Sequence, residues 1–222
     1  MTTLKYVKYD DALNLIEEGD VLLFRGKTLT SWFVEQAGEG RYSHVGLATW
    51  HNGCIRRCGH DSLLEITEFR EWKGGRTVDL ATAYARDLKN CTIDVYRAVS
   101  PIYKSNYNVN TKEIEVKEIK FDGKKLTNYL RTMTGLPYGW TKIWRMFTHK
   151  MLGLRWLTNF TKVAEDDKIV DPNKIYPVCS TAVASAYTSI GYDLIPNKSD
   201  EWVEPSDLSR SALLNYLFTL TA

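Results

Sequence analysis

The chain has 222 residues, 29 Lys and Arg against 27 Asp and Glu for a net charge of +2, with 44% hydrophobic and 25% charged residues. That length suits one domain of roughly 100–200 residues, and the ordinary composition excludes a disordered chain. The net charge is too small to imply a nucleic-acid partner, which needs basic residues concentrated on one face, and no apolar run of about 20 residues is present to span a membrane.

In chain order, Tyr9 to Glu18 has helical spacing and ends at Gly19, and Asp20 to Arg25 (DVLLFR) is a short apolar run expected to form a buried strand. Thr30 to Ala37 is predicted as a short capped helix, followed by a strand over Tyr42 to Trp50 (YSHVGLATW) that carries His44. Asn52-Gly53 is a hairpin signal that places Ile55 onward on a returning strand, and Ser62 to Thr67 (SLLEIT) continues the apolar pattern with Glu65 inside it. A helix over Asp79 to Leu88, a strand over Cys91 to Val99 and a helix over Phe121 to Thr134 ending at Gly135 follow.

From Trp140 to Phe160 apolar residues recur every three or four positions with Lys and Arg between them, the pattern of an amphipathic helix. Packing on the core is its ordinary explanation; an interfacial or lid element that touches lipid through Trp140, Trp144 and Phe147 is the alternative. Val178 to Ile190 is a helix of small residues opened by Cys179 and closed by Gly191, and Pro205 to Ala222 is expected to pack back as a last helix. No repeat or flexible linker divides the chain, so residues 1–222 are expected to form one domain with an aromatic amphipathic insertion at about 140–174.

Cys179 has the position expected of a nucleophile. Unpaired N–H groups and the helix dipole at a helix start stabilise a thiolate and can also receive a developing oxyanion. A small buried cysteine is the structural alternative. An imidazole at His44, in an otherwise apolar strand, is costly unless something uses it, and Glu65 on the neighbouring strand is the carboxylate expected to receive its other ring N–H. Cys54, Cys58, His60 and Cys91 match no zinc-knuckle spacing, so no metal or other cofactor is expected.

The strings GDVLLF, YSHVGLA, LLEIT, YPVCSTAVASAY and EPSDLSRS resemble the permuted branch of the NlpC-type papain-like hydrolases, the YiiX-like amidase or peptidase group. The resemblance covers Gly19 to Glu68 and Gly135 to Ser209, with the histidine strand before the cysteine helix instead of after it. It implies an α+β fold, circularly permuted and papain-like, in which a small antiparallel sheet or barrel packs against helices with the catalytic cysteine at a helix N-terminus. It also implies Cys179 as nucleophile, His44 as general base and then acid, and Glu65 as orienting residue. Leu136-Pro137-Tyr138-Gly139 resembles the family's Pro-Tyr segment, which makes Tyr138, with Ser180, a candidate oxyanion or substrate contact.

The leading expectation is therefore a cysteine amidase or peptidase acting on peptides or peptidoglycan fragments. An acyl-lipid hydrolase or acyltransferase with the same thioester chemistry is the alternative, and a non-catalytic binding module on the same fold is the third. The N-terminus, MTTLKYVKYDD, shows no secretory signal, so synthesis in a cytoplasm is expected, with a phage-encoded or otherwise delivered protein as the route to a cell wall.

Overall fold

In the computed structural model, residues 5–26, 40–52, 62–87, 91–108, 112–140 and 176–221 are described. The elements in order are β1 (Tyr6–Lys8), α1 (Tyr9–Ala12), β2 (Val21–Gly26), β3 (His44–Asn52), β4 (Ser62–Arg70), β5 (Gly74–Asp79) and α2 (Leu80–Asp87). They continue with β6 (Cys91–Ala98), β7 (Ile102–Asn108), β8 (Glu113–Ile119), α3 (Gly123–Thr132), α4 (Cys179–Ser189), α5 (Pro205–Leu208) and β9 (Leu214–Thr221).

Seven strands form one sheet in the order β1-β9-β6-β2-β3-β4-β5, and β7 pairs with β8 as a separate hairpin. The sheet is mixed: β1 runs parallel to β9 and every other pair is antiparallel. The fully antiparallel sheet or barrel expected from the sequence is thus replaced by a larger mixed one. The expected last helix also gives way, because α5 stops at Leu208 and the chain returns as β9. Leu214 to Thr221 (LNYLFTLT) is rich in residues that suit a half-buried pleated strand, and pairing with β6 satisfies its backbone.

The continuous apolar run of β2 follows from burial on both faces. Val21 and Leu23 join the core beneath α3 and α4, whereas Leu22 and Phe24 join the one beneath α1 and α2. Helix α4 is buried from Cys179 through Tyr187, and its alanines and serines let it lie close against the central strands. The predicted helix over Thr30 to Ala37, the returning strand from Ile55 and nearly all of the amphipathic segment, Trp144 and Phe147 included, lie outside the described residues; Trp140 lies within them.

Two polar ties hold the ends of β3 and α4 where the site needs them. Asp94, fully buried on β6, accepts from Arg25 Nη2 at 2.9 Å, from Thr219 Oγ1 at 2.6 Å and from the Tyr42 hydroxyl at 2.6 Å. The segment Val203–Ser206 then bridges the two halves of the chain. Tyr42 N–H donates to Ser206 Oγ at 3.2 Å, and Ser180 Oγ donates to the Val203 carbonyl at 2.6 Å. A capping box between Glu204 and Asp207 fixes the start of α5, and Lys198 pairs with Asp207 at 2.5 Å. Replacing Ser206 with Ala leaves a buried N–H without its partner, so the variant is expected to lose about 1–3 kcal/mol in urea unfolding. An unchanged midpoint would contradict the bridging role.

Candidate active site

His44 opens β3, and its ring packs against Phe24 with centroids 5.2 Å apart. Its Nε2–H donates to Glu68 Oε2 at 2.6 Å. Glu68 belongs to β4 and sits directly opposite Gly46, so it lies diagonally across the strand pair from His44. A Cβ at Gly46 would stand 2.6 Å from Ile66 Cδ1 and 3.1 Å from Glu68 Cβ. The glycine therefore leaves the space that the Ile66 and Glu68 side chains occupy against β3.

The other oxygen of this buried carboxylate is held by Arg76 of β5, whose Nε and Nη2 donate to Glu68 Oε1 at 2.9 Å and 2.5 Å. Arg76 is directly opposite Glu68 in the β4–β5 register. Arginine, with its two parallel donors, fixes the plane of the carboxylate as well as its charge.

Cys179 is the first residue of α4 and is buried. Burial opposes a charge on His44, but the Glu68 carboxylate, hydrogen bonding to Cys179 and to Glu68, and the charge of Cys179 outweigh it and push its pKa up to about 10. Because Nε2 is bound to Glu68, Nδ1 is the ring nitrogen left for the sulfur. Burial likewise opposes ionisation of Glu68, yet the His44 and Arg76 charges and hydrogen bonds carry its pKa down to about 2. Tyr138 is also drawn to the sulfur. Burial, the nearby charges of Cys179 and Glu71 and a hydrogen bond with Cys179 hold its phenol well above the ordinary range, so the hydroxyl keeps its proton to donate.

The structure thus brings Cys179, His44 and Tyr138 together, while the carboxylate on the histidine is Glu68 and not the expected Glu65. Glu65 pairs with Arg131 Nη2 of α3 at 3.1 Å and lies 3.9 Å from His51 Nδ1. The reason is register. Asn52 pairs with Ser62, so the β3–β4 connection is longer than a two-residue Asn-Gly turn, and Glu65 is carried opposite Thr49, well along β3 from His44. The Ser180 hydroxyl, expected as a substrate or oxyanion contact, is committed to the Val203 carbonyl. Arg76 and the spacing role of Gly46 were not anticipated; a glycine two residues after the histidine was the available signal.

The pH dependence of this pair has two limits. The raised His44 contributes its stabilisation fully below about pH 6.5 and loses it as pH rises through about 10; the lowered Glu68 contributes above about pH 4.5 and loses it as pH falls through about 2. Glu68→Gln is therefore expected to cost about 3 kcal/mol or more between pH 4.5 and 6.5, shrinking towards either extreme, whereas the partly exposed pair of Glu65→Gln costs about 1 kcal/mol or less. Urea unfolding across pH checks both. Equal costs for the two variants would contradict the pairing.

No family model matches the sequence, and no curated protein matches it either. Among solved structures, the chain is similar to the metalloprotein YiiX from Escherichia coli O157:H7, with a TM-score of 0.52 and 13% identity over 93% of this chain and 99% of that one. Among the described residues, no three His, Cys, Asp or Glu side chains converge as metal ligands, and Cys54, Cys58 and His60 lie outside the described residues. A seven-stranded mixed sheet with helices on both faces, matched over nearly its whole length, gives this chain a YiiX-like α+β fold.

Proposed function

We propose that the chain is a thiol hydrolase that cleaves an amide through a thioester on Cys179, with peptides of the peptidoglycan type as the substrate class. The observation that carries this reading is the row Cys179–His44–Glu68–Arg76, with its sulfur at a helix start and its imidazole fixed on one nitrogen. Such a row matches the nucleophile, base and orienting group of covalent hydrolases.

The charges in the row define its resting state. In this reading Cys179 reacts as the thiolate beside a protonated His44, whose charge the Glu68 carboxylate holds in place together with Arg76. The thiolate attacks the carbonyl carbon, and the oxyanion is received by the Cys179 N–H at the helix start and by the Tyr138 hydroxyl. Collapse of this intermediate breaks the C–N bond as His44 gives its proton to the departing amine. Neutral His44 then takes a proton from water, which attacks the thioester; the acid leaves and the thiolate–imidazolium pair is restored. His44 thus acts first as an acid, because the proton it would remove as a base has already been transferred.

The test is product mass spectrometry on a panel of peptide, peptidoglycan-fragment and phospholipid substrates. Amide cleavage is expected, with Cys179→Ala and His44→Ala each slower by on the order of 10⁴-fold. Cleavage or transfer of phospholipid acyl groups alone would replace the amidase with the acyl-lipid reading. Turnover that survives Cys179→Ala would overturn both, and no turnover with an inert thiol would leave the non-catalytic binding module.

A further inference from the structure

Trp72, at the tip of the β4–β5 turn, is 84% exposed, the most exposed large hydrophobic side chain among the described residues. It also holds a left-handed backbone, φ +63°, which is costly for a bulky residue. Its indole touches that of Trp140 in a tilted arrangement, with centroids 4.5 Å apart and planes at 42°. Trp140 in turn meets the Tyr138 ring edge-on at 5.5 Å, and Tyr138 contacts Cys179. Three aromatic rings therefore lead from solvent to the candidate nucleophile.

The backbone holds this ladder at both ends. Gly75 N–H donates to the Leu136 carbonyl at 2.9 Å and Gly135 N–H donates to the Gly75 carbonyl at 2.8 Å, which docks the β4–β5 turn onto the segment leading to Tyr138. A Cβ at Gly74 would collide with the Leu136 carbonyl, so the close approach needs glycine there. At the other end Gly139 N–H donates to the Pro177 carbonyl at 3.2 Å, and a Cβ at Gly139 would collide with the Tyr176 carbonyl, just ahead of α4. The turn that presents Trp72 is also the one joining Glu68 to Arg76.

We propose that Trp72 and Trp140 form a stacking platform that favours substrates carrying a ring with an apolar face on the Tyr138 side of the scissile amide. The inference rests on Cys179 being the nucleophile. The tilted contact with the second indole leaves most of the flat Trp72 surface open, and Glu71 and Lys73 flank it in sequence with opposite charges. Such a surface is suited to stacking a ring, whereas an extended acyl chain is best held in an enclosed apolar slot.

The experiment measures alkylation of Cys179 in the full chain by iodoacetamide, N-benzyliodoacetamide and N-hexyliodoacetamide. Modification is located by peptide mass spectrometry, and each rate is divided by that of glutathione with the same reagent. The benzyl reagent is expected to react faster than both others. Trp72→Gly, which removes the ring and relieves the left-handed strain, is expected to lower the benzyl preference about three- to tenfold and leave the iodoacetamide rate unchanged. An unchanged preference in Trp72→Gly overturns the platform, and a hexyl reagent as fast as the benzyl one replaces it with a slot for chains. A Cys179 no more reactive than glutathione towards any of the three overturns the nucleophile itself, a separate result from loss of ring preference.

Discussion

The site depends on a buried carboxylate. Glu68 is 1% exposed, and an ionised carboxylate in that position is tolerated only when both oxygens are answered by charge or hydrogen bonds. Arg76 answers one and His44 the other. The same need for compensation fixes the imidazole plane, keeps the proton on His44 and turns its free nitrogen towards Cys179. Orientation and protonation of the histidine thus have one electrostatic cause.

The geometry that permits this arrangement is largely a matter of side chains that are missing. Gly46 leaves the space that Ile66 and Glu68 occupy against β3, while Gly74, Gly75 and Gly139 let backbone segments touch where a Cβ would hold them apart. These contacts bring together the β4–β5 turn, the Leu136–Trp140 segment and the start of α4, which are far apart in sequence. The Val203–Ser206 bridge does the same for β3 and α4 from the other side. Because no short loop connects the histidine strand and the cysteine helix, such tertiary ties carry the relative placement of the two groups.

Cys179 and His44 were readable because each breaks a local rule: a thiol at the N-terminal end of a helix's dipole, and an imidazole in an apolar strand. The strands β2, β3 and β6 and the helices α2, α3 and α4 were readable from their periodicity. The ring's carboxylate was not, because Glu65 and Glu68 lie on the same strand and only register chooses between them. Register was set by a connection from Asn52 to Ser62 whose length an Asn-Gly pair does not reveal. The last strand was missed for a related reason. β9 completes the sheet by pairing with β6 and β1, partners more than a hundred residues away, and nothing local in its sequence names them.

The central claim is that His44 sits protonated against the Glu68 carboxylate with Cys179 on its other nitrogen, and its imidazole nitrogens report on this directly. A nitrogen-15 NMR titration of the full chain should show His44 cationic throughout the neutral range and losing its proton near pH 10, with the midpoint falling in both Glu68→Gln and Cys179→Ala. An ordinary midpoint near 6.5, unmoved by either substitution, would contradict the account.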